Sequence, residues 1–181
     1  MKNLGAAALS ALLLAGAGVT VALAADPMVG GAAMHASMNI VQNAMNSKDH
    51  TTLVALVKKA GLVQTLEGPG PFTVFAPTNA AFAKLPKATV DKVTSDKPLL
   101  TKVLTYHVVA GRLSTAEIEH MIQSGGGKAT LKTVEGGDLT AMMDGSNIVL
   151  VDDHGDRATI TIPDVYQSNG VIDVINTVLV P

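Results

Sequence analysis

Apolar residues recur at helical spacing from Ser37 to Ala60. Ile40, Val41, Ala44 and Met45 share one face, and Leu53, Val54, Leu56 and Val57 share another. Ser47 or Asp49 supplies a cap and Gly61 the stop, so this stretch predicts helix. Phe72–Ala76 reads as a short strand between Gly70–Pro71 and Pro77. Thr78 then caps a helix that buries Ala81, Phe82 and Leu85 and ends at Pro86. A further helix spans about Asp96 to Leu104, with Pro98 tolerated in its first turn. Tyr106–Val109 reads as extended. Ser114 and Glu117 form the ends of a capping box that opens a helix running through about Met121, and Gly125–Gly127 ends it.

The pattern changes after Gly127. Ala129–Val134, Asp138–Met143, Asn147–Val151, Ala158–Ile162 and Val171–Val180 carry alternation or β-branched runs. Asp144–Gly145 marks a hairpin between two of them, and Asp152–Asp156 a second turn. The run from Val171 to Val180 is apolar on both alternating faces, as expected of a strand covered on both sides. Asp173 and Asn176 interrupt it and need partners. Helices come first and strands later, without regular βαβ alternation. That order predicts an α+β fold, with helices segregated around an antiparallel or mixed sheet.

Length and composition narrow the picture. The 181 residues suit one domain. Lys2 and the apolar stretch Leu4–Leu23 approach the length of a membrane anchor, but Gly16, Gly18 and the Ala22–Ala24 exit before Asp26–Pro27 favour a cleaved signal peptide over residues 1–24. Residues 25–34 then form a flexible leader and residues 35–181 the domain. On this reading the mature chain has no membrane span and is secreted or periplasmic. A net charge of −2 with no Lys/Arg cluster argues against nucleic acid as a partner. The absence of Cys excludes disulfides, thiol nucleophiles and thiolate metal sites. Only 3% of residues are aromatic, too few for large stacking platforms.

Candidate chemistry is sparse. No G-x-S-x-G elbow is present, so no triad is expected, and neither a catalytic residue nor a cofactor is assigned. Gly125–Gly127 lacks the Lys-Ser/Thr of a phosphate loop and reads as a helix end. His154 among Asp152, Asp153 and Asp156 reads as a polar hairpin tip rather than a cation site. Met34, His35 and Met38, with Met28 and Met45 nearby, offer soft ligands that would suit Cu(I), or ordinary apolar gap-fillers. No metal is assigned to them. Tyr106–His107 lies in an apolar stretch, where a partly buried His must hydrogen-bond. It would either pin a neighbouring segment or serve recognition by a partner.

These residues resemble a known family. Thr73–Pro86 looks like the first signature of the fasciclin domain, Leu104–Gly111 resembles its central Tyr-His segment, and Asn169–Pro181 resembles its closing signature. The resemblance covers essentially the whole mature chain. It implies a fasciclin-like wedge, β-sandwich-like sheets with a helical layer. Departures are Asn79 where the family often has Asp, and Asp173 and Asn176 where it has His and Asp. In animal matrix members the Tyr-His segment and a Pro-Asp-Ile type motif are implicated in integrin adhesion. The matching positions are Tyr106, His107, Pro163, Asp164 and Val165, although Ile162 stands where that motif has an acid.

The resemblance therefore implies a non-enzymatic exported protein for cell-surface or extracellular adhesion, its partner a surface or matrix protein. Loops around Tyr106–His107 and Asp164 would contact that partner, and Asp164→Ala would weaken binding with little effect on thermal stability. Some relatives bind apolar pigments, so the alternative is a periplasmic carrier of a hydrophobic small molecule such as a carotenoid. A continuous apolar cleft would favour the carrier, a filled core the adhesion reading.

Overall fold

The computed structural model describes residues 25–181; the signal peptide expected over residues 1–24 lies outside the described residues. Strands β1 (Met28–Val29) and β2 (Ala32–Ala33) pair as a small antiparallel ribbon. Helix α1 (Ile40–Asn46) starts from a capping box between Asn39 and Gln42. A 3-10 turn over Lys48–His50 leads into α2 (Thr51–Ala60), which Gly61 closes in the left-handed region at φ +77°. Helix α3 (Val63–Leu66) precedes β3 (Phe72–Pro77). Helix α4 (Asn79–Ala83) follows on the Thr78 cap, then α5 (Lys87–Ser95) and α6 (Lys97–Tyr106), the last capped by Asp96. After β4 (Val108–Ala110), helix α7 (Thr115–Ser124) begins at the Ser114–Glu117 capping box. Five strands complete the chain: β5 (Lys128–Lys132), β6 (Asp138–Asp144), β7 (Asn147–Val151), β8 (Arg157–Gln167) and β9 (Gly170–Ile175).

Seven strands form one mixed sheet in the order β4-β3-β9-β8-β7-β6-β5. The β3–β9 pair is parallel and the other pairs are antiparallel. Strand β8 carries register shifts between Ile160 and Ile162 and between Ile162 and Val165, which bend it. The sheet curls until its two edges meet, with Val109 bridged to Thr133 and the Val134 N–H donating to Val108 O at 2.7 Å. Two cores result. Val74, Ala76, Ile172 and Val174 face α1, α2 and α6, while Phe75 and Ile175 face a second cluster of Leu131, Leu139, Leu150 and Ile118 inside the wedge. Strands β3 and β9 are thus covered on both sides, as the apolar run in β9 requires. Among the described residues no helix is long and apolar enough to cross a membrane.

The α+β order expected from the pattern is the order observed, with local differences. Helix α5 has no buried residue, only half-buried Val90 and Val93, so its apolar stripe is too thin to read. Leu100, Val103 and Leu104 keep helical spacing and carry Tyr106 into the end of α6 rather than into a strand. Strand β9 stops at Ile175, because the Asn176 N–H and Oδ1 both engage Thr159 and the chain turns away. Val178 and Leu179 then fill the cores as a buried tail. The stretch read as a flexible leader contains the β1–β2 ribbon, and Val29 and Met34 are buried in the main core.

Candidate functional site

Tyr106 and His107 end α6 with their side chains inside the protein, 0% and 3% exposed. The Tyr106 hydroxyl donates to Asp138 O at 2.8 Å. Burial pushes its phenol up to about 12, with the nearby Asp153 and Asp152 adding to the effect. His107 Nδ1–H donates to Val103 O at 2.8 Å, and its Nε2 accepts the Leu179 N–H at 3.0 Å. That pairing fixes one neutral tautomer, and burial lowers the imidazole to about 4. His107 therefore ties the end of α6 to the C-terminal tail, and Tyr106 ties it to β6. Direct contact with a partner, expected for both residues, is incompatible with this burial. Val165, 0% exposed, is likewise a core residue.

Pro163 and Asp164 sit within the bent β8 rather than in a loop. Pro163 is exposed at the bulge, and Asp164 adopts φ +55°. Asp164 Oδ1 accepts the Thr115 N–H at 2.9 Å, and Oδ2 accepts the Thr115 hydroxyl hydrogen. A carboxylate thus caps the first turn of α7, where free N–H groups and the helix dipole favour negative charge. From beneath, Asp173 Oδ1 accepts the Asp164 N–H at 2.8 Å. Asp173 is fully buried and its Oδ2 has no hydrogen-bond partner. Burial pushes its carboxyl up to about 7, and the charge of Asp164 adds to the shift.

The rim of this junction is exposed. Tyr166 is 43% exposed, and Arg112 and Glu117 also face solvent. Arg112 donates to Gln167 O at 3.0 Å, which holds the β4–α7 connection against β8. Partial burial, then the charges of Asp164, Glu117 and Asp173, raise the Tyr166 phenol above its ordinary value. Of the five residues linked by motif, the fold places Pro163 and Asp164 at this surface and takes Tyr106, His107 and Val165 into the interior. It adds Arg112, Thr115 and Tyr166. A Pro inside a β-run was the available signal, since such a Pro marks a bulge or an edge.

Other sequence candidates have structural roles. Met34 is buried in the core while His35 is exposed and hydrogen-bonded to Asp26 at 2.6 Å, so Met34 and His35 diverge rather than present soft ligands to one ion. Asp152 uses both oxygens internally: Oδ1 accepts from the His154 and Asp156 N–H groups and Oδ2 from Val180 N–H. Asn79 accepts from the Thr52 N–H and donates to Lys48 O, which ties α4 to the start of α2. An apolar cleft of about 50 Å³ lies between α1, α2, α3 and β3, bordered by Ile40, Val54, Val57, Phe72 and Leu104.

The sequence profile named Fasciclin domain matches residues 48–181. The chain belongs to the fasciclin domain family. It is 39% identical over 142 residues to an uncharacterized protein of Synechocystis sp., covering 78% of this chain and 96% of that one. It is 34% identical over 166 residues to the cell surface glycolipoprotein MPB83 of Mycobacterium bovis, covering 92% and 66%. The solved FAS1 domain pair of the insect cell adhesion molecule Fasciclin I superposes with a TM-score of 0.65 at 15% identity, over 80% of this chain and 51% of that chain. This likeness shows the fold, and the wedge with its helical layer is the fasciclin architecture.

Proposed function

We propose that this fasciclin-domain protein is exported, non-enzymatic and active in protein recognition at the cell surface, through the bulge on β8. The observation that carries the reading is the exposed set Arg112, Pro163 and Tyr166 on a rigid base. Asp164 locks that base to α7, and Asp173 supports it from within. Tyr and Arg on a preorganised surface are the residue types that dominate binding energy at protein interfaces. A surface location is supported by the likeness to a cell surface glycolipoprotein and by the signal-peptide pattern of residues 1–24. The apolar cleft is the feature the carrier reading asks for, but its size favours that reading less. At about 50 Å³ it is smaller than the roughly 150 Å³ cavity that holds a benzene molecule.

The test is retention of labelled protein by its own cells, stripped of the native copy. Arg112→Ala together with Tyr166→Ala should lower retention about tenfold or more. Equal retention of the double variant and the parent would remove this surface from the function.

A further inference from the structure

The lysines lie singly and in one pair through the first half of the domain, and the fold brings three of them to one corner. Residues 48–102, which build α2 to α6, carry eight Lys against four acidic residues, a net charge of +4. Residues 103–181, which build α7 and six of the seven sheet strands, carry four basic against ten acidic residues, a net charge of −6. All eight lysines are exposed, and among the described residues only Lys102 of the eight is ion-paired, to Glu135 at 3.6 Å. The domain is therefore a charge dipole with a basic helical layer and an acidic wedge.

Helix stability does not account for the excess. Lys58 and Lys59 suit the last turn of α2, but Lys87 and Lys97 open α5 and α6, where the helix dipole opposes a cation. Lys97 reaches the end of α2, its Nζ 3.7 Å from where a side chain on Gly61 would begin, and so joins Lys58 and Lys59 at one corner. Lys58 also lines the apolar cleft, with half-buried Val54 and Val63 beside it and Val134, 44% exposed, on the lining. Ammonium groups around accessible apolar side chains match the boundary of an anionic bilayer, where headgroups take the cations and the acyl boundary takes the apolar lip.

We propose that the α2–α6 face docks on an anionic lipid surface, with Lys58, Lys59 and Lys97 as its electrostatic centre and the acidic wedge held away by like charge. This docking is independent of partner recognition at the β8 bulge. The apolar lip favours a bilayer over a soluble polyanion, which offers it nothing to enter.

Co-sedimentation with vesicles tests it. Binding to phosphatidylcholine vesicles holding about one-third phosphatidylglycerol should exceed binding to pure phosphatidylcholine about a hundredfold or more, and should fall steeply as salt shortens the screening length. Each lysine removed should lower partitioning about fivefold. The variant K58Q/K59Q/K97Q should thus lose about a hundredfold, whereas K128Q/K132Q on β5 should bind as the parent. Equal binding to neutral vesicles, a triple variant that binds like the parent, or salt-sensitive pelleting without vesicles (a second copy as the occupant) would each overturn the proposal. The salt series on the unaltered protein keeps the test decisive if the triple variant folds poorly.

Discussion

Around His107 every buried polar atom has a partner, whereas around Asp173 one oxygen has none. The first cluster joins α6, β6 and the C-terminal tail through satisfied hydrogen bonds and lies wholly inside. The second joins β8, β9 and α7 beneath an exposed rim, and it keeps a buried carboxyl above its usual range. Family resemblance links both segments to recognition, but only the second has a surface to offer. A satisfied buried network fixes a fold, whereas an incompletely satisfied one beneath a solvent-facing bulge marks where stability has been given up.

Removing the inner pin should have the largest effect. His107→Ala leaves the Val103 carbonyl and the Leu179 N–H without their partner and opens a void between the cores. A loss of about 3 kcal/mol is expected in denaturant unfolding. A loss below about 1 kcal/mol would mean that the tail is held by apolar packing alone.

The two clusters also titrate in opposite senses. His107, lowered to about 4 in the fold, is neutral there while the unfolded chain takes up a proton below its ordinary 6.5. Its contribution is therefore lost as pH falls from 6.5 towards 4, and buried His50, also lowered by desolvation, acts in the same direction. Asp173, raised to about 7 from 3.8, holds a proton in the fold that the unfolded chain has released. Its contribution is full below 3.8 and is lost as pH rises through 7. Between about pH 4.5 and 6.5 the slopes of Asp173 and His107 largely cancel, so stability should rise with pH only by the contribution of His50. Asp173→Asn keeps an oxygen acceptor for the Asp164 N–H but removes one slope. Its stability should then rise by about 2 kcal/mol more than the parent's from pH 4.5 to 6.5, measured by urea unfolding across that range. A profile parallel to the parent's would show that Asp173 does not hold its proton in the fold.

Which of these features the sequence discloses depends on their range. The caps at Thr78, Asp96 and Ser114 are local devices, and all three stand where side-chain chemistry places them. Helix α5 is hidden because Val90 and Val93 make only a thin stripe, and α3 because four residues carry little periodicity. The interior placement of His107 follows from its apolar neighbours, but its partner Leu179 lies 72 residues away and is set by tertiary packing. The left-handed Asp164 and the orphaned oxygen of Asp173 arise from pairing between β8 and β9. From sequence, only Pro163 within a β-run and an acid in an apolar strand hint at them. The basic layer is dispersed, never more than two lysines in a row, so it becomes a surface only when α2 and α6 pack together.

A smaller effect separates the parts of the second cluster. Asp164→Ala removes the cap on Thr115 and forces a β-carbon residue other than Asp or Asn to hold φ +55°. A loss of about 1.5 kcal/mol is expected, in contrast to the near-neutral change anticipated for a surface loop. Asp164→Asn, which tolerates the left-handed region and retains an acceptor, should recover more than half of it. If Ala and Asn behave alike in thermal unfolding, neither the cap nor the backbone conformation is what Asp164 contributes.

The smallest change in stability is expected at Tyr166, and it divides the two clusters most cleanly. Its ring is 43% exposed, and truncation to Ala removes no cap, pin or core contact of the kind that holds Asp164 or His107. Unfolding free energy should shift by less than about 0.5 kcal/mol. Retention on stripped cells should nevertheless fall severalfold, because an aromatic anchor on a rigid base contributes to binding without contributing to the fold. His107→Ala should show the reverse at a temperature where it stays folded, with large loss of stability and unchanged retention. Should Tyr166→Ala leave retention intact while His107→Ala reduces it in the folded state, recognition would belong to the α6 end rather than to the β8 bulge, and the division between an inner pin and an outer surface would fail.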